Sequence, residues 1–186
     1  MGVVGLGVGT LAAYGTRPTQ LIRFYEINPE VERLARKHFT YLQDSRARVE
    51  VAIGDARLLL DREPPQRFHV LALDAFCGNA PPTHLLTVEA MAVYLKHLDP
   101  EGVLAMNISN RHLDLAPVVR GSARRLGWRT VSVDLQADER ASTWILCTRS
   151  EAAIREFLEG GATPGEGREV EWRDDRSDLF SILRFR

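Results

Sequence analysis

The residues that most restrict the fold of this chain come at its very start. An apolar run at positions 2–4 passes directly into Gly5-Leu6-Gly7-Val8-Gly9, and a helical stretch follows over 10–14. Glycines at alternate positions let a chain leave a strand in a tight turn and enter a helix with its first N–H groups free. Such an order suits a parallel sheet, where each strand needs a crossover segment before the next one. The remainder of the chain repeats the alternation. Apolar strands are predicted at 21–27, 49–53, 69–73 and 103–108, and helices near 57–60, 87–97 and 115–126. Asn28-Pro29 opens another helix, whose apolar positions Val31, Leu34, Ala35 and Phe39 recur at intervals of three and four. Asp99-Pro100-Glu101-Gly102 reads as the turn into the fifth strand. Two final strands, 128–135 and 143–148, flank a polar turn and imply one antiparallel member near the sheet edge. The pattern therefore predicts an α/β fold, a mostly parallel seven-stranded sheet with helices on both faces. A helix at 151–159 closes a nucleotide-binding domain spanning 1–159. Positions 160–167, with four glycines and a proline, read as a mobile linker. Positions 170–186 read as an apolar tail docked on the domain, so 160–186 is assigned to the same unit.

Charge and cysteine usage exclude several roles. Lys and Arg total 24 against 25 Asp and Glu, so no net charge draws the chain to nucleic acid or to a membrane surface. Cys77 and Cys147 lack CxxC spacing, and the five histidines show no ligand spacing, so neither a disulfide framework nor a metal site is expected. No apolar run approaches the roughly 20 residues that span a bilayer, and no secretory signal is visible. A reducing, cytoplasmic setting follows as the expectation.

In parallel sheets ligands gather beyond the carboxyl ends of the strands, and four candidates sit there. Gly5, Gly7 and Gly9 allow a phosphate- or nucleoside-bearing ligand to approach the backbone, or else serve strand–helix packing. Glu26, ending the second strand, can accept both ribose hydroxyl hydrogens, or be a surface carboxylate. Asp55, in Gly54-Asp55-Ala56, can accept from an adenine amino group, with Ala56 leaving room for the ring, or act as a helix N-cap. Asp74 ends the fourth strand and faces the place where the reacting end of such a ligand would lie. The glycine spacing lacks the third glycine of the dinucleotide fingerprint, which disfavours a nicotinamide dehydrogenase.

These segments together resemble the spermidine/spermine synthase family of polyamine aminopropyltransferases, in particular its bacterial spermidine synthase-like branch. Val3-Val4-Gly5-Leu6-Gly7-Val8-Gly9 is similar to its glycine motif, and Phe24-Tyr25-Glu26-Ile27-Asn28-Pro29 to its ribose-binding strand end. Gly54-Asp55-Ala56-Arg57 is similar to its adenine contact, and Leu73-Asp74-Ala75-Phe76 to the segment bearing its catalytic acid. His84-Leu85-Leu86-Thr87, Ile108-Ser109-Asn110-Arg111 and the tail extend the likeness over most of the chain. The resemblance implies the Rossmann-like fold of S-adenosylmethionine-dependent methyltransferases. It also implies cofactor contacts at Gly5, Gly7, Gly9, Glu26, Ile27, Asp55 and Ala56, with Asp74 as the catalytic base. Decarboxylated S-adenosylmethionine would donate an aminopropyl group to a polyamine, in a homodimer and without a metal. Val3 stands where ordinary methyltransferases usually place an acid, which favours the aminopropyltransferase relatives.

The chain departs from that pattern in its amine half. Val8 replaces an aspartate of the glycine motif, and Asn79 is the nearest counterpart of a second acid after the catalytic one. The family's N-terminal β-rich segment is missing too, which reads as a fragment or a shortened gene product. Two other functions therefore remain open: a methyltransferase using intact S-adenosylmethionine, and a non-catalytic adenosyl-binding module. In the tail, Trp172, Asp174, Asp175 and Asp178 either fold over the open edge of the site, restoring negative charge, or form a docked helix with a capping aspartate.

Overall fold

The computed structural model describes residues 1–75, 82–135 and 142–184. Its centre is one sheet. Five strands lie parallel: β1 (Gly2–Val4), β2 (Leu21–Glu26), β3 (Arg48–Ile53), β4 (Phe68–Leu73) and β5 (Leu98–Asn107). Beyond β5 come β7 (Ser142–Thr148), antiparallel to it, and β6 (Arg129–Leu135), antiparallel to β7. The spatial order is β3-β2-β1-β4-β5-β7-β6, and a two-residue strand β8 (Thr163–Pro164) pairs with the outer edge of β6. The antiparallel member β7 thus lies inside the sheet rather than at its border. The strand order reverses between β1 and β4, the place where α/β sheets open a crevice.

Helices cover both faces because successive strand residues point to opposite sides. Val3, Ile22 and Phe24 face a core shared with Ala35 of α1 (Pro29–His38) and Leu42 of α2 (Tyr41–Asp44). Val4, Tyr25, Leu71, Leu73 and Met106 face the other core, with α3 (Ala56–Arg62), α4 (Val88–Lys96) and α5 (Ala116–Arg125). A further helix, α6 (Glu151–Glu159), buries Ile154 beside the β6 edge. Among the described residues no helix is long and apolar enough to cross a membrane.

Three local expectations change. The strand after α4 begins at Leu98, not beyond Gly102, because Phe68 pairs with Leu98 and Val70 with Val103, so the intervening residues bulge. Gly102 permits this, since a Cβ there would sit 2.8 Å from the Phe68 carbonyl oxygen. The linker contains β8: Val131 pairs with Pro164, and Gly165 N–H donates to Thr130 O at 3.0 Å. Among its described residues the tail forms no long helix. It carries Trp172, 1% exposed, into a tight turn in which Arg173 and Arg176 exchange backbone hydrogen bonds, and then a single 3-10 turn over Phe180–Ile182. Trp172 O accepts from Val88 N–H at 2.9 Å, so the tail satisfies a first-turn donor of α4.

Candidate functional site

Three neighbouring strand ends, those of β2, β1 and β4, form the floor of the crevice. The turn leaving β1 lies in the middle. Gly5 (φ 95°) ties it to β2 through its N–H on Tyr25 O at 2.8 Å, and a Cβ there would lie 2.6 Å from the Asp74 carbonyl oxygen. Gly7 (φ 55°) is different: a Cβ would meet nothing within 4 Å, so its backbone borders open space. Gly9 also has positive φ, 85°, and precedes the 3-10 helix at Thr10–Tyr14.

Glu26, at the end of β2, is 8% exposed. Its Oε2 accepts from Leu6 N–H at 3.0 Å and its Oε1 from Asn28 N–H at 2.9 Å. One carboxylate therefore pins the glycine turn to the start of α1. Each oxygen keeps a second lone pair, so two acceptor positions remain for a pair of hydroxyls. Ile27 beside it is 68% exposed, an apolar surface at the rim.

Asp55 caps α3: its Oδ1 accepts from Leu58 N–H at 3.0 Å, and its Oδ2 lies 3.1 Å from His84 Nε2. The N-cap alternative thus describes what this side chain does within the chain, and an adenine amino group would share its oxygens with these partners. Ala56 is 6% exposed and packs into the core as the first residue of α3.

Asp74 is exposed at the end of β4, and its Oδ1 accepts from Asn107 Nδ2 at 2.8 Å. Asn107 was not among the sequence candidates. The signal that finds it is register: Leu73 pairs with Met106 in parallel, so the next residues, Asp74 and Asn107, emerge side by side. A single strand pattern does not reveal which strands are neighbours. Asn79, expected from the resemblance as the nearest counterpart of a second acid, and Cys77 lie outside the described residues.

Two of the tail carboxylates, Asp174 and Asp178, are engaged elsewhere. Both terminal nitrogens of Arg57 donate to Asp174, at 2.8 and 2.5 Å, and Thr87 Oγ1 donates to the same carboxylate at 2.8 Å. The guanidinium holds the Asp174 carboxyl below its usual range, and Asp174 in turn raises the pKa of Arg57. Asp178 Oδ1 accepts from Phe180 and Ser181 N–H at 3.0 and 3.3 Å, a turn cap. The charge of Asp174 is thus balanced by Arg57 rather than offered to an amine, and Trp172 is buried in the core rather than spread across an open edge. Arg57 also donates to His84 O at 2.8 Å, so this clamp reaches the partner of Asp55.

No family model matches the chain. It is 32% identical over 109 residues to a polyamine aminopropyltransferase of Vibrio vulnificus, a match covering 56% of this chain and 36% of that relative. It is 30% identical over 113 residues to an N-terminal histidine N-methyltransferase of Emericella nidulans, covering 56% of this chain and 19% of that one. The matches thus span little more than a third, and about a fifth, of the lengths of these relatives. In three dimensions it is similar to a probable spermidine synthase from Corynebacterium glutamicum, with a TM-score of 0.68 and 24% identity over 96% of this chain and 74% of that one. The α/β architecture with its mostly parallel sheet is thus the Rossmann-like fold common to spermidine synthases and S-adenosylmethionine-dependent methyltransferases.

Proposed function

We propose that the chain is a transferase domain that binds an S-adenosylmethionine-type donor and transfers an aminopropyl group from its decarboxylated form to a polyamine. One observation carries this reading. Glu26 and Asp74 end the strands on either side of the glycine turn, so their Cα positions lie two strand spacings apart, about 10 Å. A ribose held at Glu26 with its 5′ arm crossing Gly7 brings the sulfonium side of the donor towards Asp74. Ile27 offers the adenine an apolar rim. The buried, doubly anchored Glu26 is a rigid ribose acceptor, and the open space at Gly7 fits a ligand passing close to the backbone.

In the reaction, the amine nitrogen forms a bond to the methylene carbon next to sulfur. The carbon–sulfur bond breaks and its electron pair returns to sulfur, leaving methylthioadenosine. Alkyl ammonium groups titrate near pH 10, about as lysine does, so the attacking nitrogen must first shed a proton. Asp74 orients the amine by accepting an N–H and is the acceptor for that proton.

The second reading is methyl transfer from intact S-adenosylmethionine. The 30% identity to the histidine N-methyltransferase favours it, as does Val8, 38% exposed where the aminopropyltransferase pattern carries an aspartate. Calorimetric titration with both donors, followed by product analysis with putrescine and spermidine, separates the two. Preferential binding of the decarboxylated donor and release of methylthioadenosine is the expected result. Release of S-adenosylhomocysteine would establish the methyltransferase instead, and binding without turnover a binding module.

A further inference from the structure

Asn107 is held in one orientation by a chain of donors that runs across two strands. Its Oδ1 accepts twice from Ser109, from N–H at 2.9 Å and from Oγ–H at 2.6 Å. Ser109 Oγ in turn accepts from Thr143 N–H of β7 at 3.0 Å, so its own hydrogen is free to point at Asn107. With the amide oxygen committed to two donors, the amide NH2 is the group that faces Asp74. Turning the amide over would set its oxygen against a carboxylate and its hydrogens against an N–H. Every link donates in the same direction, from Thr143 through Ser109 and Asn107 to Asp74, and such chains polarise cooperatively. Among the described residues, Asp74 Oδ2 makes no hydrogen bond. We propose that Asn107, locked by Ser109, is a positioning residue for the transfer: it immobilises one oxygen of Asp74 and aims the other at the incoming amine. The proposal rests on the reading of Asp74 as the acceptor-side group.

Its structural part is tested without turnover. In 15N-edited NMR spectra of the whole chain, one side-chain amide proton of Asn107 is expected downfield, shifting in Asp74→Ala and in Ser109→Ala. An Asn107 amide indifferent to both changes overturns the proposal. Its functional part is read from kcat beside the calorimetric Kd of the donor. Asn107→Leu is expected to lower kcat about ten- to a hundredfold, with the donor Kd moving less than about twofold, because only the acceptor side loses its geometry. Ser109→Ala is expected to show a smaller loss in the same direction, and Ser109→Thr, which keeps the hydroxyl, to restore it. If Asn107→Leu keeps full kcat while Asp74→Asn loses it, the positioning role fails and the function stands. If Asp74→Asn itself keeps full kcat, the reading of the site fails instead, and the proposal with it.

Discussion

Glu26 and Asp74 occupy equivalent places at the ends of β2 and β4, yet the chain treats them differently. Glu26 is buried and takes one backbone N–H on each oxygen, from the glycine turn and from the start of α1. Asp74 is exposed and takes one side-chain donor on one oxygen. The first carboxylate is therefore part of the scaffold as well as of the proposed site, since removing it would leave two N–H groups short of an acceptor. The second can be changed with little effect on folding. On the proposed reading, the donor half is built into the fold and the acceptor half is laid on top of it.

The substitution with the largest expected effect attacks the junction of the two halves. In Gly5→Ala the new Cβ would lie 2.6 Å from the Asp74 carbonyl oxygen, at φ 95°, and neither backbone can step aside. A loss of about 3 kcal/mol or more is expected, seen as a Tm lowered by roughly 6–12 °C for a domain of this size. An unchanged Tm would show that the two strand ends are not in contact.

Next, Asp74→Asn is expected to lower turnover about 10²–10⁴-fold, while Tm and donor affinity stay near those of the parent. Glu26→Gln should behave in the opposite way. One carboxylate oxygen that accepts a backbone N–H is replaced by an NH2 group, so stability falls by about 1–3 kcal/mol and donor affinity drops together with it. Should Glu26→Gln leave Tm untouched, or Asp74→Asn unfold the chain, the distinction drawn between the halves would collapse.

The smallest effect is expected at the tail, and it depends on pH. Arg57 holds the Asp174 carboxyl below its ordinary value, by direct hydrogen bonding first. A carboxyl depressed in the folded state contributes stability above its unfolded pKa, about 3.9, and loses it as pH falls through the folded value. The pair is partly exposed, with 48% of the Asp174 side chain accessible, so solvent screens it. Asp174→Asn should therefore lower Tm slightly at pH 7, and the gap to the parent should close as the pH drops below about 3.9. A gap that persists undiminished in acid would place the role of Asp174 in packing rather than in charge. Measuring donor affinity in the same variant extends the comparison, because the Arg57 clamp leads through His84 to Asp55.

The sequence by itself determined the layered parallel sheet, the glycine turn and the carboxylates at the strand ends. Those follow from period-two and period-3.6 patterning and from turn chemistry, which are local. It could also frame the alternatives at Asp55, a ligand contact or an N-cap, because both uses require the same residue at the same helix start. Tertiary structure decided what no local pattern encodes. Strand adjacency and register brought Asn107 beside Asp74, although 33 positions separate them. The same holds for the clamp between Arg57 and Asp174, 117 positions apart, and for β8, whose two residues are a strand only because the edge of β6 is there to pair with them. A hydrogen-bond partner far along the chain is chosen by how the whole sheet packs, and that choice is a property of the folded chain rather than of any segment within it.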